Sequence, residues 1–539
     1  MSRIAKRWAN YWLAPGGRYA NAALRVAIAI SVLWILKRYR TDFHFESTRY
    51  YKLGPWLLWP GGRPSAGLLS AITVVAWIST IAMFLGVRSR TSHAISLVSV
   101  CLLAAHAVSD APTWSHPDVP PLLASIAFLG ARSGDVWSID AWWRKRRGIA
   151  VPTARQTSAR LVQLTVVSVF FCAGIWKLRT GGLEFGWALS DNMRHQLLAR
   201  YDWLSLQRTP IANWIIDDVW KYRTAATLNM ISQLLPISAI FLWRFPRLRA
   251  LLAILFVMEV LGLDAVMNLP NPQWLPLAAA FIDWDALVAW INRRRGLPAP
   301  TEGTPTRSRA HLAFVTGFLI FYALQAAWLN QRLRAFPFSS FPLFATLRAK
   351  KPFSEHQTYE LLGGYIEVFG DKPLTHDQEV FLAMRGTYRW MYRARDRKTV
   401  TAHLKTILAE TQRFWPDLHI KGVRLWLSVY QAPAYPAPAH LERHDLGVLG
   451  TMFVDEHVLT ALGSLGPDGS IVSSPPELQL DNGAAVSREL APVPQAVGFV
   501  PTPTGLVLAA PLRGDPAYLV VTDRDGTRWI AGFRGNGSY

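Results

Sequence analysis

The chain is 539 residues long, 51% hydrophobic, with 24 tryptophans and a formal net charge of +21. That charge would point to nucleic acid in a soluble protein. Here the basic residues cluster between apolar runs and no aromatic–basic RNA motif accompanies them, which excludes nucleic acid as a partner. Only two cysteines occur, Cys101 and Cys172, both inside apolar runs, so no disulfide framework supports the fold.

A mean hydropathy of +0.16 hides a division of the chain. Apolar residues gather before residue 330, in runs of about 18 to 22, as membrane-spanning helices require. The expected fold is a multi-pass α-helical membrane domain over residues 1–330. An extracytoplasmic α+β domain follows over 331–440, and a strand-rich extension over 441–539. Nine spans are expected, over 21–37, 66–87, 93–109, 117–131, 159–177, 225–243, 248–264, 272–290 and 311–329. The first lacks a small-residue cleavage site after it and reads as a retained anchor. Arg25 within it is costly in lipid and must face protein, a headgroup or a cavity.

The connections carry a charge asymmetry. Lys and Arg crowd the N-terminal arm, the turn with Arg88 and Arg90, the stretch 132–158, the link 244–249 and the segment 291–310. The connections 110–116 and 265–271 have none. The basic face should be cytoplasmic, with the N-terminus inside and the C-terminal domain outside the inner membrane. Trp137–Arg147, aromatic on one side and cationic on the other, reads as an interfacial helix that meets anionic lipid.

Beyond the last span, Phe336–Phe344 reads as an aromatic, Pro-punctuated return to the outer interface. Tyr359–Phe369 and Val423–Ala432 read as strands, and Thr375–Asp396 and Thr401–Phe414 as helices. From about 445 onward, alternating Val/Leu and Gly/Pro turns predict short strands, with Asp523–Gly526 between two of them.

Two residues carry the candidate chemistry. His116, in Trp114-Ser115-His116-Pro117, starts the fourth span from outside. Lys177 ends the fifth on the same side. Helix rise and the charge-based topology put them at one depth on adjacent antiparallel helices. A lysine at a helix end is ordinarily a snorkelling anchor. One shielded from water by Trp114, Trp176 and Phe171 can instead serve as a general base. Asp110, Asp118 and His106 border the same mouth. His440-Leu-Glu-Arg-His444 has its Glu misplaced for a zinc-protease motif, and no metal is expected.

Phe171-Cys-Ala-Gly-Ile-Trp-Lys177-Leu resembles the lysine helix of vitamin K-dependent gamma-carboxylase and its bacterial HTTM-domain relatives. So does Trp114–Asp140, with its His before an apolar span and then Gly134-Asp135-Val136-Trp137-Ser138-Ile139-Asp140. Arg194-His195 falls where the carboxylase has a similar pair, and Arg424–Tyr430 resembles one of its lumenal strands. Trp176 stands where the carboxylase has a second lysine, and residues 445–539 resemble no part of it.

The resemblance implies a bacterial membrane enzyme, both oxidoreductase and lyase in character. Lys177 would deprotonate a reduced quinone such as vitamin K hydroquinone, with His116 supporting the oxyanion. Trp114, Asp118, Phe171, Trp176, Arg179, Arg194 and His195 would bind the quinone or substrate. O2 would be consumed in epoxidation, with CO2 a further co-substrate where an exported peptide or protein is carboxylated. The rival expectation is a non-enzymatic membrane protein on the same scaffold that binds an export or immunity partner.

Overall fold

The computed structural model describes residues 3–42, 54–110, 116–297, 312–320, 346–382 and 397–454, with a few one- or two-residue gaps, and strand segments between 459 and 532. The described chain divides into two compact units. The first comprises the residues up to Met193 together with Arg208–Glu355, and the second comprises Arg194–Gln207 and the residues from His356 onward.

The first unit is helical. In chain order it contains α1 (Arg3–Trp12), α2 (Arg18–Asp42), α3 (Ala66–Leu85), α4 (Ser89–Asp110), α5 (Val119–Ala127), α6 (Ile139–Arg146), α7 (Thr157–Gly181) and α8 (Gly186–Leu189). α9 (Asn192–Tyr201) follows, which from Arg194 on belongs to the second unit, and the first unit resumes with α10 (Pro210–Ile216), α11 (Val219–Leu234), α12 (Pro246–Met267) and α13 (Trp284–Arg294).

Among the described residues α2, α3, α7 and α12 are long and apolar enough to cross a membrane. A fifth crossing results if Pro272–Phe281 and α13, bent by 69° at their junction, form one broken span. The apolar stretches of α2 and α7 are 72% buried and form the centre of the unit, whereas that of α3 is only 28% buried. Val74, Ile78 and Ile81 of α3, and Ile254 and Met258 of α12, face outward.

Several expected spans take other forms. Residues 117–131 are not one helix: a 3-10 turn at His116–Asp118 leads into the nine-residue α5. Pro120 and Pro121 suit only a helix start, and Gly130 ends the segment at φ 78°. Residues 225–243 fall in α11 and then a 3-10 stretch, Leu235–Ile240, that begins at the Leu235–Pro236 step. Residues 272–290 are broken between Pro272–Phe281, with Pro276 inside, and α13, which Asp283 caps. Of 311–329, residues 312–320 are helical and the remainder lies outside the described residues, as do Phe336–Phe344.

Arg25 is resolved as a structural anchor. It is buried, and its guanidinium donates to the carbonyls of Ser133, at 2.5 Å, and Trp137. Asp140 caps α4, accepting from the Arg88 and Ser89 amides, each at 2.8 Å. Ser138 caps α6. The Gly134–Asp140 motif therefore ties the α3–α4 turn to α2 and α6.

In the second unit, β1 (Tyr359–Phe369) pairs antiparallel with β2 (Gly422–Ala432), and β2 with β3 (Glu442–Phe453). The sheet continues through β4 (Leu459–Thr460), β5 (Ala485–Leu490), β6 (Val493–Ala496), β9 (Tyr518–Thr522) and β10 (Arg528–Gly532). Its order is β1-β2-β3-β10-β9-β5-β6, with β4 on β3, while β7 (Phe499–Thr502) and β8 (Gly505–Leu508) form a separate hairpin. The helix Arg397–Phe414 packs on β2 and β3 and buries Leu404, Ile407, Leu408 and Thr411, one face at helical spacing. Of the expected helix 375–396, residues 383–396 lie outside the described residues.

Candidate functional site

α7 and α11 approach closely at Gly174. A Cβ there would meet Leu234 Cδ2 at 2.7 Å and the Gln233 Cβ at 3.5 Å, so only glycine admits α11 at this distance. The chains run antiparallel, and one turn further along α7 the side chain of Lys177 meets Asn229 of α11. Lys177 is 1% exposed. Its amine donates to Asn229 Oδ1 and lies 4.0 Å from the ring centroid of Trp187, itself 1% exposed.

Trp187 reaches this position through a tight turn. A Cβ at Gly181 would sit 2.5 Å from the Trp187 amide nitrogen, and Gly182 follows at φ 68°. The α7–α8 connection thus brings an aromatic face under the lysine. Such a face favours a cation.

Asn229 passes the contact on. Its Nδ2 donates to Glu259 Oε1 of α12 at 2.7 Å, and Gln233 Nε2 donates to the same oxygen at 2.8 Å. Ser232 Oγ donates to Oε2. Glu259 is 5% exposed. An amine, an amide and a carboxylate thus form a connected chain from the apolar α7 through α11 to the apolar α12. Ionisable groups are expensive there, and unpaired they would not persist.

An aromatic ladder borders the cluster. Phe170 packs edge-on against Phe256 at 5.5 Å and against Trp274 at 5.3 Å. Trp274 Nε1 donates to the Pro117 carbonyl at 2.6 Å, which ties the start of the α5 segment to this wall. Lys177 lies seven residues beyond Phe170, about 10 Å along α7.

The predicted site residues divide among several places. The His116 backbone begins the turn before α5, which packs on α7; its side chain, and all of Trp114, lie outside the described residues. Asp118 is buried, but its partners are Arg38 and the Tyr39 hydroxyl at 2.9 Å, not Lys177. Phe171 is half-buried and Trp176 buried, with the exposed Arg179 5.2 Å over the Trp176 ring.

Arg194 and His195 belong to the second unit. Arg194 donates to the carbonyls of Pro433 and Ala437 at 2.6 and 2.8 Å, and His195 stacks on Tyr359 at 5.3 Å. Of the predicted residues whose side chains are described, the cluster contains Lys177. His106 packs against Trp56, and His440 and His444 border or lie on β3 rather than on a helix.

Sequence reasoning missed Trp187, Asn229, Ser232, Gln233 and Glu259. Two signals were available. Glu259 is a carboxylate inside an apolar helix. Asn229 and Gln233 are four residues apart, hence on one face of α11.

A separate recess of about 1010 Å³ lies in the second unit beside Gly364–Val368 of β1, lined in part by Asp202, Glu367, His376, Glu379, His440 and Arg443. Another of about 500 Å³ lies in the first unit between the α3–α4 turn and α6. Neither includes Lys177.

Comparison of the chain with protein-family profiles, with curated proteins and with solved structures gave no match.

Proposed function

We propose that the protein is an integral membrane enzyme of the gamma-carboxylase-like type that oxidises a reduced quinone such as vitamin K hydroquinone, with Lys177 as the base. The observation that carries this reading is the enclosure of Lys177 in a cluster suited to the proton it would take up. Asn229 Oδ1 and the Trp187 face both favour an ammonium, and the Glu259 carboxylate stands one amide away.

In epoxidation the quinol and O2 give the epoxide and water, one oxygen atom to each. Where carboxylation follows, a glutamate γ-proton is removed and CO2 takes its place, with no metal required. The lysine's part is the first proton transfer.

The same reading makes the arginine-rich end of the helical unit cytoplasmic and the Lys177 end of α7 extracytoplasmic. The second unit then lies outside, where it would present an exported peptide or protein. The outward-facing apolar side chains of α3 and α12 support a lipid environment, since such bands are unfavourable in water.

The test is turnover in lipid nanodiscs of the purified protein with a menaquinol-type substrate under isotopically labelled O2. The reading expects an epoxide carrying one labelled oxygen. An unchanged quinol pool, or quinone without epoxide, contradicts it.

A second reading is favoured by the recess beside β1. In it the protein binds an export or immunity partner without turnover, and Lys177 is structural.

A further inference from the structure

The recess of about 500 Å³ between the α3–α4 turn and α6 is lined by Arg88, Arg90, Arg132 and Arg144, with Trp143 at its side. Two of the four guanidiniums are held in place. Asp135 accepts from Arg132 Nε at 3.0 Å and from Arg144 Nη1 at 2.8 Å, and Arg144 also donates to the Gly134 carbonyl. Arg88 and Arg90 are exposed and make no ion pair among the described residues.

The other carboxylate, Asp140, is occupied by the Arg88 and Ser89 amides and the Ser89 hydroxyl. The start of α4 is therefore already capped, and any further anion would be held by side chains. Four guanidiniums against two carboxylates leave the recess about two positive charges in excess.

We propose that this recess binds the phosphate of an anionic membrane lipid. Arginine forks match phosphate oxygens, and Asp135 pre-orients two of them. A lipid, rather than free phosphate, is favoured by what surrounds the recess. Trp142 and Trp143 of α6 stand 48% and 50% exposed, on a helix with no buried residue. Arg146 lies 3.9 Å over the Trp142 ring and Arg147 5.2 Å over that of Trp143. Half-exposed tryptophans interleaved with arginines mark a membrane–water interface.

The helices that meet at the recess also carry apolar side chains facing outward. Phe84 and Leu85 end α3, and Ile95 and Val98 lie along α4. A headgroup seated among the arginines would leave its acyl chains on these surfaces. This inference does not depend on the role of Lys177.

Native mass spectrometry of the full-length protein, released from micelles with dioleoylphosphatidylglycerol or dioleoylphosphatidylcholine, tests it. The expected result is preferential retention of phosphatidylglycerol. Arg88→Gln/Arg90→Gln should cut that preference by about tenfold or more, from the worth of two interfacial arginines. Arg293→Gln/Arg294→Gln, which removes equal charge elsewhere, should leave it intact, and millimolar inorganic phosphate should not compete. Equal retention of both lipids, equal losses in the two variants, or displacement by inorganic phosphate would each overturn the proposal. Should the double variant misfold, Arg88→Gln and Arg90→Gln taken singly make the same comparison, and no loss of preference in either would overturn the proposal.

Discussion

Lys177 and Glu259 are joined through a single amide. Asn229 accepts from the lysine amine with its oxygen and donates from its nitrogen to the carboxylate at 2.7 Å. The amide dipole thus points its negative end at the amine and its positive end at the acid. Ser232 and Gln233 also donate to the carboxylate, so the cluster is tied to α7, α11 and α12 together.

Groups linked in this way should not act independently. Glu259→Gln removes one charge and leaves the other buried, which is the costlier change. The double variant Lys177→Met/Glu259→Gln should lose less stability than the two single losses added together. A coupling of about 0.5–3 kcal/mol is expected from denaturation in mixed micelles. Strict additivity would place the two residues in separate environments.

The α7–α11 approach gives a second prediction. Gly174→Ala drives a methyl into Leu234 and should cost about 1–3 kcal/mol. Gly262→Ala, on α12 where nothing lies within 4 Å of the added methyl, should be neutral or slightly stabilising. Melting temperatures of the two variants, measured side by side, check this; equal shifts would remove Gly174 from its role.

Asp140→Ala removes the cap of α4 and should destabilise by about 0.5–2 kcal/mol, without changing the charge of α7, α11 or α12. Thermal melts in detergent read the loss directly. An unaffected melt would mean that the Arg88 and Ser89 amides find other acceptors.

Topology is open to chemical labelling. With Cys101 and Cys172 replaced, Lys372→Cys in the second unit should react with an impermeant maleimide in intact cells. Lys145→Cys on α6 should react only after permeabilisation. The reverse pattern would invert the proposed orientation.

Much of this architecture was legible because it rests on local pattern. The long apolar runs gave α2, α3, α7 and α12, and alternation with β-branched residues gave β1 and β2. Hydropathy failed where proline intervened: an apolar run through Pro120 and Pro121 gives the nine-residue α5, and one through Pro276 gives a bent pair. Lys177 stood out as an amine closing an apolar helix. Its partners did not, because which faces of α7, α11 and α12 meet is set by tertiary packing at Gly174 and Gly181. Arg194 and His195, adjacent to that region in sequence, are used by the second unit instead.

The most direct measurement is quinol turnover by Lys177→Met. Methionine keeps the stem volume of lysine and removes only the amine. Glu259 keeps its bonds from Asn229, Ser232 and Gln233, so the variant should lose stability but still fold and insert, which a melt of the same preparation checks. If Lys177 is the base, epoxidation of a quinol that the wild type turns over should fall by about 10²–10⁴-fold. A small exogenous amine should restore part of the rate. Full activity in the folded Lys177→Met protein would contradict the assignment and leave the lysine as a structural member of its cluster.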